Sequence, residues 1–267
     1  MGPGQSPGTA GSLHGTVRSR TVRPVRRVRG VGRTRPGEET AVRGPEVLVF
    51  DVNETLTDLS ALAPRFADIG LPGRLLPQWF AGVLRDGIAL TLAGGRADFA
   101  TVARDALLTH LAREGAPAAD PEAAAAHVLG ALPELPVHPD VPEGVRALHA
   151  AGHRLVTLTN GSADTSRAVL RRAGLAECFA AHLDVQGADG RWKPAPDAYA
   201  YALRETGVPA AAATLVAVHP WDIDGAARAG LGTAWLRRTP VPYPSARRPA
   251  DRTAGSVADL ARQLGAG

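Results

Sequence analysis

The chain has 267 residues, 45% of them hydrophobic, which is enough to bury a core in one large domain or two smaller ones. Its single cysteine, Cys178, excludes an intramolecular disulfide framework, so we predict a reducing, cytoplasmic location. Because the sequence has no run of about 18 apolar residues and no apolar stretch typical of a secretory signal, no membrane association is expected.

The net charge of +4 is unevenly distributed. Residues 1–45 hold nine arginines and two acids, whereas residues 46–267 hold 21 basic and 24 acidic residues. We predict that residues 1–45 form a disordered basic tail, because they contain almost no large apolar residues to offset the entropy lost on folding. The cluster from Arg18 to Arg35 could contact nucleic acid, but no aromatic residue or fold motif accompanies it. A solvated extension without a nucleic-acid partner is therefore the prediction.

An apolar run at Val47–Phe50 predicts a buried first strand that ends at Asp51. Residues from about 59 to 135 show helical periodicity instead, in segments at 75–92, 99–113 and 121–132. No strong strand candidate interrupts this block. We therefore predict a helical cap at 60–138, inserted after the first strand of a core formed by residues 46–59 and 139–267.

Beyond residue 138, predicted strands and helices alternate. The strands are predicted at 154–158, 182–185, 215–218 and 233–236. The helices are predicted at 143–150, at 163–172 with Ser162 as the N-cap, at 196–206, from 225 onward and at 257–264. This alternation predicts an α/β fold with a parallel sheet covered by helices on both faces.

Polar residues follow each predicted strand of this sheet. Asp51 follows the first, the pair Thr159 and Asn160 the second, Lys193 the third after a loop, and Asp222 the fourth. Because the carboxyl ends of parallel strands meet at one edge, these side chains are expected to lie together as a site.

Lys193 is the only lysine among 30 lysine and arginine residues. A position that keeps lysine in an arginine-rich sequence indicates a need for a compact ammonium group, and such a group beside a carboxylate lowers its pKa. The alternative is a surface lysine that survived by chance. Cys178 has no neighbouring base in the sequence, so a thiol nucleophile is not expected.

The order of these residues resembles the four motifs of the haloacid dehalogenase superfamily, here Asp51-x-x-x-Thr55, Thr159-Asn160-Gly161, Lys193-Pro194 and Asp222. The resemblance covers about residues 46–240. It implies a Rossmann-like parallel core with an inserted helical cap, and it implies that the Asp51 carboxylate is the nucleophile.

The resemblance also implies roles for the other motif residues. Thr55 would hydrogen-bond the nucleophile, and Asp222 would orient the hydrolytic water. Thr159 and Asn160 would donate hydrogen bonds to the substrate carboxylate or the leaving group. Two structural alternatives stay open: Thr55 as a loop cap, and Asp222 as the N-cap of the helix predicted from residue 225.

Phosphatases of the superfamily carry aspartates at the positions of Asn53 and Val218 in this chain. Asn53 cannot protonate a leaving alcohol, and Mg²⁺ prefers several charged oxygen ligands. A departing halide needs no proton. The pattern is therefore more similar to the L-2-haloacid dehalogenase branch, and we predict no metal and no cofactor.

That branch has a tyrosine after its Lys-Pro motif and a Trp-Asp pair, which Tyr199 and Trp221-Asp222 match. We therefore expect Tyr199 to contact the substrate, and we expect the same of Asn53 and His219, two positions at which the chain departs from that branch. His219 would act as a hydrogen-bond donor or help to activate water, with capping of the strand as its alternative role. The branch also uses a cap arginine to receive the halide. Arg85 is the candidate and Arg74 its rival, and either could be a surface residue.

The predicted activity is metal-independent hydrolysis of small 2-haloalkanoic acids through an aspartyl ester, with homodimerisation implied by the resemblance. The alternatives are a Mg²⁺-dependent phosphatase of a small phosphomonoester and a catalytically idle binding protein on the same fold.

Overall fold

The structure is a computed structural model that describes Gly2, residues 45–115 and residues 119–266. The chain divides into two units, residues 1–41 and 42–267, and all described helices and strands belong to the second. The arginine cluster of the predicted basic tail lies outside the described residues, so the disorder predicted there stays a prediction.

In the described part of the chain, six parallel strands form one sheet, and their bounds are Val47–Phe50 (β1), Arg154–Thr159 (β2), Phe179–Asp184 (β3), Ala213–Ala217 (β4), Gly232–Leu236 (β5) and Arg252–Ala254 (β6). Their order across the sheet is β3-β2-β1-β4-β5-β6. All four residues of β1 are buried, as expected for a central parallel strand with both faces covered. The α/β prediction is confirmed. The short strand β6 was not predicted, because two of its three residues are exposed and no apolar run marks it.

Residues 59–135, which we call the helical insert, connect β1 to the rest of the sheet. They contain the helices Ala63–Asp68 (α1), Leu76–Leu92 (α2), Phe99–Glu114 (α3) and Pro121–Leu129 (α4). The last two begin where aspartate side chains accept backbone N–H groups: Asp98 from Thr101, and Asp120 from the first turn of α4. Helix α4 ends three residues earlier than predicted, before a short 3-10 turn at Leu132–Glu134.

The remaining helices pack on the sheet and are Val141–Ala150 (α5), Ala163–Arg172 (α6), Pro196–Thr206 (α7), Pro220–Arg228 (α8) and Val257–Gln263 (α9). Ser162 caps α6 as predicted. Helix α8 was predicted to begin at residue 225 but begins at Pro220, because proline is well suited to the first helical position. Asp222 therefore lies inside the first turn of α8 and is not its N-cap.

Trp192 joins the helical insert to the sheet. Its buried ring stacks on Phe99 with centroids 5.9 Å apart, and its indole N–H donates to the Ala97 carbonyl at 2.9 Å. A Cβ at Gly87 would come within 2.3 Å of the same ring, so only glycine leaves room for it. The residue next to Trp192 is Lys193, whose backbone is thereby held against the insert.

Within the part of the chain that the structure describes, no helix is both long and apolar enough to cross a membrane.

Candidate active site

Asp51 is the first residue after β1 and lies at the carboxyl edge of the sheet. Its amide donates to the Val216 carbonyl of β4 at 3.0 Å, which fixes the chain as it leaves the strand. The chain order of the strands reverses beside β1, and ligands of open parallel sheets bind at such a switch point. The side chain is 6% exposed, so it is nearly enclosed.

Lys193 contributes a buried ammonium group to this edge. Its Nζ donates to Asp51 Oδ1 at 2.9 Å, to Asp222 Oδ2 at 2.7 Å and to the Leu158 carbonyl at 2.8 Å. Burial opposes the charge, but the two carboxylates raise the pKa of Lys193 above its ordinary value. All three N–H bonds are used, so the only lysine of the chain acts as a fixed cation.

Asp222 is fully buried, and both of its oxygens have donors. Lys193 donates to Oδ2, and the Tyr199 hydroxyl donates to Oδ1 at 2.6 Å. Burial raises the pKa of Asp222, and the neighbouring Asp51 charge adds to this, because one ammonium group cannot fully compensate two carboxylates.

Tyr199 was predicted to contact the substrate, and the structure corrects that prediction. The side chain is fully buried behind Asp222 and lines no described cavity. Burial and the Asp222 charge raise the pKa of Tyr199 well above its ordinary value, so the phenol keeps its proton for Asp222. Its position is that of a group that orients Asp222.

The second oxygen of Asp51 has different neighbours. The Thr55 hydroxyl donates to Oδ2 at 2.6 Å and accepts the Val218 amide at 3.1 Å. Burial of Asp51 would raise its pKa, but Lys193, His219 and Thr55 together hold that pKa well below its usual range. The carboxylate is therefore ionised at neutral pH, as a nucleophile requires.

Three other predicted residues lie around this pair of charges. The Asn160 side chain accepts the Lys193 amide at 2.8 Å and donates to the Lys193 carbonyl at 3.2 Å, so it clamps the lysine backbone. The Thr159 hydroxyl accepts the Gly161 amide at 2.9 Å. Thr159 and Asn53 line one cavity together, whereas the Asn160 amide is used by the protein itself.

His219 brings a second cationic group to Asp51, on the side opposite Lys193. Its Nδ1 lies 3.3 Å from Asp51 Oδ2, and its Nε2 lies 2.8 Å from Glu54 Oε2. Burial disfavours the charged imidazole, but Asp51 and Glu54 raise the pKa of His219 to about 9. His219 is the last residue before α8, and its side chain forms no capping hydrogen bond.

Glu54 is a site residue that the sequence did not reveal. It lies in the loop between Asp51 and Thr55, with a backbone φ of 61° in the left-handed region that non-glycine residues rarely adopt. An acidic residue within the loop that follows Asp51 was the one available signal. Its partner His219 is 165 residues away, which hid the pairing.

Two cavities border the loop that follows Asp51. One, of about 510 Å³, has an apolar wall from the helical insert and a polar wall of Glu54, Asp58, Arg74, His138, His219 and Arg238. The other, of about 420 Å³, is lined by residues that include Asn53, Phe99, Thr159 and Ser162. His219 is the residue that links the first cavity to Asp51 Oδ2.

The structure does not bring Arg85 to this site. Its side chain is 74% exposed, is paired with the adjacent Asp86 at 2.7 Å, and borders a separate surface cavity between α2 and α3. The periodicity of α2 turns Arg85 outward, so the prediction that it receives the leaving group is corrected. Its rival Arg74 lies in the 3-10 turn before α2 and lines the same cavity as His219.

Two further residues of this cavity were also not predicted. Arg238 donates to the Thr55 carbonyl at 2.7 Å and to Asp140 at 2.6 Å, and His138 contacts the Glu54 carbonyl at 3.0 Å. Both residues hold the backbone of the loop that follows Asp51. Neither residue belongs to a recognisable motif, and each reaches the loop from a distant part of the sequence.

A divalent cation, which the phosphatase alternative requires, does not fit this donor set. The Lys193 ammonium already bridges Asp51 and Asp222, while Asn53 and Val218 add no carboxylate. Within the described ranges, no group of three or more histidine, cysteine or acidic side chains is arranged to hold a metal ion.

Cys178 lies away from Asp51, in a 3-10 turn directly before β3 and thus at the amino end of that strand. Burial raises the pKa of its thiol, so the reactive thiolate form is less populated.

The fold and the four motifs define a family. A model of the haloacid dehalogenase-like hydrolases matches residues 45–230, and the chain belongs to that family. It is therefore a hydrolase with the parallel-sheet core that its motifs predicted.

Relatives within the family include dehalogenases. The chain is 29% identical over 218 residues to (S)-2-haloacid dehalogenase 1 of Pseudomonas sp. (strain CBS-3), covering 81% of this chain and 95% of that protein. It is 30% identical over 197 residues to the (S)-2-haloacid dehalogenase of Xanthobacter autotrophicus, covering 72% and 75%. A solved structure of L-2-haloacid dehalogenase from Xanthobacter autotrophicus, with chloropropionic acid covalently bound, superimposes with a TM-score of 0.75 at 26% identity, covering 83% of this chain and 98% of that one.

Proposed function

We propose that this chain is a hydrolytic dehalogenase of small 2-haloalkanoic acids, acting through an ester on Asp51. The carboxylate contacts of Asp51 carry the proposal. It is held ionised by Lys193 and oriented by Thr55, and its neighbour His219 lines a cavity whose far wall is apolar. Such a group can displace a halide from carbon without an added cofactor.

In the first step, an Asp51 oxygen attacks the carbon that bears the halogen, the carbon–halogen bond breaks and the halide leaves with the electron pair. Oδ2 is the oxygen that we assign to this attack, because its neighbour His219 lines the larger cavity while Oδ1 is enclosed with Lys193. The bonds formed and broken balance without proton transfer.

The proposed substrate class rests on the charge of the cavity and on the relatives named above. The cavity of about 510 Å³ has ample room for a small acid, and Arg74 lines it as a cation for a carboxylate or a departing halide. The (S) enantiomer is the expected substrate, since the relatives named above carry that specificity in their names. The covalent chloropropionate in the superimposed neighbour supports an ester intermediate here too.

In the second step, water attacks Cγ of the Asp51 ester. Lys193 Nζ, 2.9 Å from Oδ1, would stabilise the negative charge that develops on that oxygen. Asp222 would orient the water, and Tyr199 and Lys193 hold Asp222 in place. The product is the 2-hydroxy acid.

The test is a side-by-side activity screen. We expect halide release from (S)-2-chloropropionate that exceeds release from the (R) enantiomer, and no phosphate release from small phosphomonoesters. A single turnover in oxygen-18 water should place the label on Asp51 before it appears in product. Phosphate release without halide release would favour the phosphatase alternative, and neither activity would favour a binding protein.

A further inference from the structure

His219 and Glu54 form a pair that the two steps above do not use. The imidazole contacts the proposed attacking oxygen at 3.3 Å on one nitrogen and the Glu54 carboxylate at 2.8 Å on the other. Such an arrangement, with one ring nitrogen at a reacting atom and the other held by a carboxylate, is typical of an acid–base histidine.

The stereochemistry of the displacement determines which leaving group His219 can protonate or hydrogen-bond. The halide departs on the side of the carbon opposite the attacking oxygen, so a donor beside Asp51 Oδ2 does not lie where the halide leaves. After the attack, however, Oδ2 is the bridging oxygen of the ester. When water adds at Cγ, the bond between Cγ and Oδ2 breaks, and Oδ2 leaves as the alkoxide of the product.

We propose that His219, held by Glu54, is the general acid that protonates this departing oxygen during hydrolysis of the Asp51 ester. This inference rests on the function proposed above. The imidazolium gives its Nδ1 proton to Oδ2 as the bond to Cγ breaks. Water supplies the oxygen of the restored Asp51 carboxylate and gives up both of its protons, of which one restores the charged His219 imidazole and the other is released to solvent. The net reaction consumes water and releases the hydroxy acid, halide and one proton.

The other groups around Asp51 cannot replace His219 in this step. Lys193 has all three N–H bonds in use on the side of Oδ1, and its pKa is raised. The Thr55 hydroxyl contacts Oδ2 but is too weak an acid to transfer its proton at neutral pH. Asp222 is fully buried, with Lys193 and Tyr199 as its partners.

The backbone of Glu54 supports a role for its carboxylate. A glutamate at φ 61° is strained, and such strain persists chiefly where the side chain is needed. Glu54 fixes the ring orientation and favours the charged imidazole, so it is a positioning residue for His219. The other titratable or charged groups that line the same cavity are Asp58, Arg74, His138 and Arg238.

The deciding experiment is rapid-quench kinetics with (S)-2-chloropropionate, following halide release and intact protein mass together. His219→Gln keeps a hydrogen-bonding side chain but cannot carry the proton. We expect its halide burst to stay within about threefold of wild type, while ester hydrolysis slows by about 10²–10⁴-fold. The Asp51 ester should then accumulate as a covalent mass increase. His149→Gln, at an exposed histidine of α5, is the matched control.

Glu54→Gln gives a second, independent readout. The hydrolysis rate should fall as pH rises through the pKa of His219 in the ester, because only the charged ring donates. This fall is the alkaline limb of the pH–rate profile. Loss of the Glu54 charge should move the limb to lower pH, whereas Glu177→Gln at an exposed position should not move it.

The outcomes are distinguishable. Ester accumulation in His219→Gln together with a shifted limb in Glu54→Gln supports the proposal. A wild-type enzyme that releases halide, combined with variants in which burst and hydrolysis slow equally or the limb does not move, overturns only this inference. A wild-type protein that releases no halide overturns the proposed function and this inference with it.

Discussion

The two oxygens of Asp51 lie in two different environments. Oδ1 belongs to a buried cluster in which Lys193 bridges Asp51 and Asp222, and Tyr199 completes the hydrogen bonds. Oδ2 faces His219, whose partner Glu54 is 42% exposed at the wall of a cavity. One side is a buried ion-pair cluster, which we call the closed side, and the other leads through His219 to a cavity, which we call the open side.

This difference separates two tasks of one carboxylate. The closed side keeps the charge of Asp51 fixed, because an ammonium group with three hydrogen bonds neither moves nor titrates near neutral pH. The open side is where we propose that protons are exchanged and substrate binds. The variants below test the division, from the largest expected effect to the smallest.

Asp51→Asn removes the carboxylate whose two oxygens define the closed and open sides. We expect halide release to fall by at least about 10⁴-fold, because an amide oxygen cannot form the ester, while the fold is retained. Halide release and circular dichroism measure the two properties. Asp105→Asn, at a surface aspartate paired with Arg104, is the control. Activity in Asp51→Asn near that of wild type, with deamidation excluded by mass, would refute the nucleophile assignment.

Lys193→Arg tests the closed side. The guanidinium is bulkier and directs its donors differently, so it cannot replace the three contacts of the buried ammonium. We expect a loss of about 10²–10³-fold in kcat, corresponding to about 2–4 kcal/mol. Arg171→Lys on the exposed face of α6 should have no effect. A Lys193→Arg rate within about threefold of wild type would mean that the compact ammonium is dispensable.

Because of His219, the free energy of unfolding of the protein should depend on pH. Its pKa in the folded protein is about 9, compared with 6.5 for an ordinary histidine. The corresponding stabilisation, on the order of 3 kcal/mol, is fully present below pH 6.5 and is lost as pH rises through 9. Urea unfolding across this interval should show the decline in wild type and a smaller one in His219→Gln. Equal declines would assign the pH dependence to another group.

Glu54→Ala and Glu54→Gly test whether the backbone at residue 54 is strained and whether the Glu54 carboxylate is needed despite that strain. Both remove the contact with His219, but only glycine adopts φ 61° without strain. We expect the glycine variant to be more stable than the alanine variant by about 1 kcal/mol, with equally slow ester hydrolysis. Thermal unfolding and single-turnover kinetics provide the comparison. Equal stabilities would argue that the loop relaxes once Glu54 is replaced.

Chelation should have the smallest effect. Because Lys193 occupies the position between Asp51 and Asp222, we expect halide release to be unchanged by EDTA and by added Mg²⁺. Activity with and without each addition is the measurement. If EDTA abolished turnover and Mg²⁺ restored phosphate release, the phosphatase alternative would replace the dehalogenase proposal.

Much of the fold and half of the site followed from local sequence. The buried strand before Asp51 and the helix capped by Ser162 each depend on neighbouring residues, which the sequence displays directly. The predicted start of α8 was wrong by five residues, because the helix begins with Pro220 at its first position. The boundary of the predicted cap at 60–138 and homodimerisation stay predictions.

The sequence by itself determined that Asp51, Lys193 and Asp222 share one edge of the sheet, because each follows a strand and parallel strands end on the same side. Only the tertiary structure decided which neighbours each carboxylate oxygen has. Tyr199 lies behind Asp222, Arg85 points to the surface, and His219 meets Glu54. Those outcomes depend on side-chain direction and packing between segments far apart in the chain, which no local pattern of residues encodes.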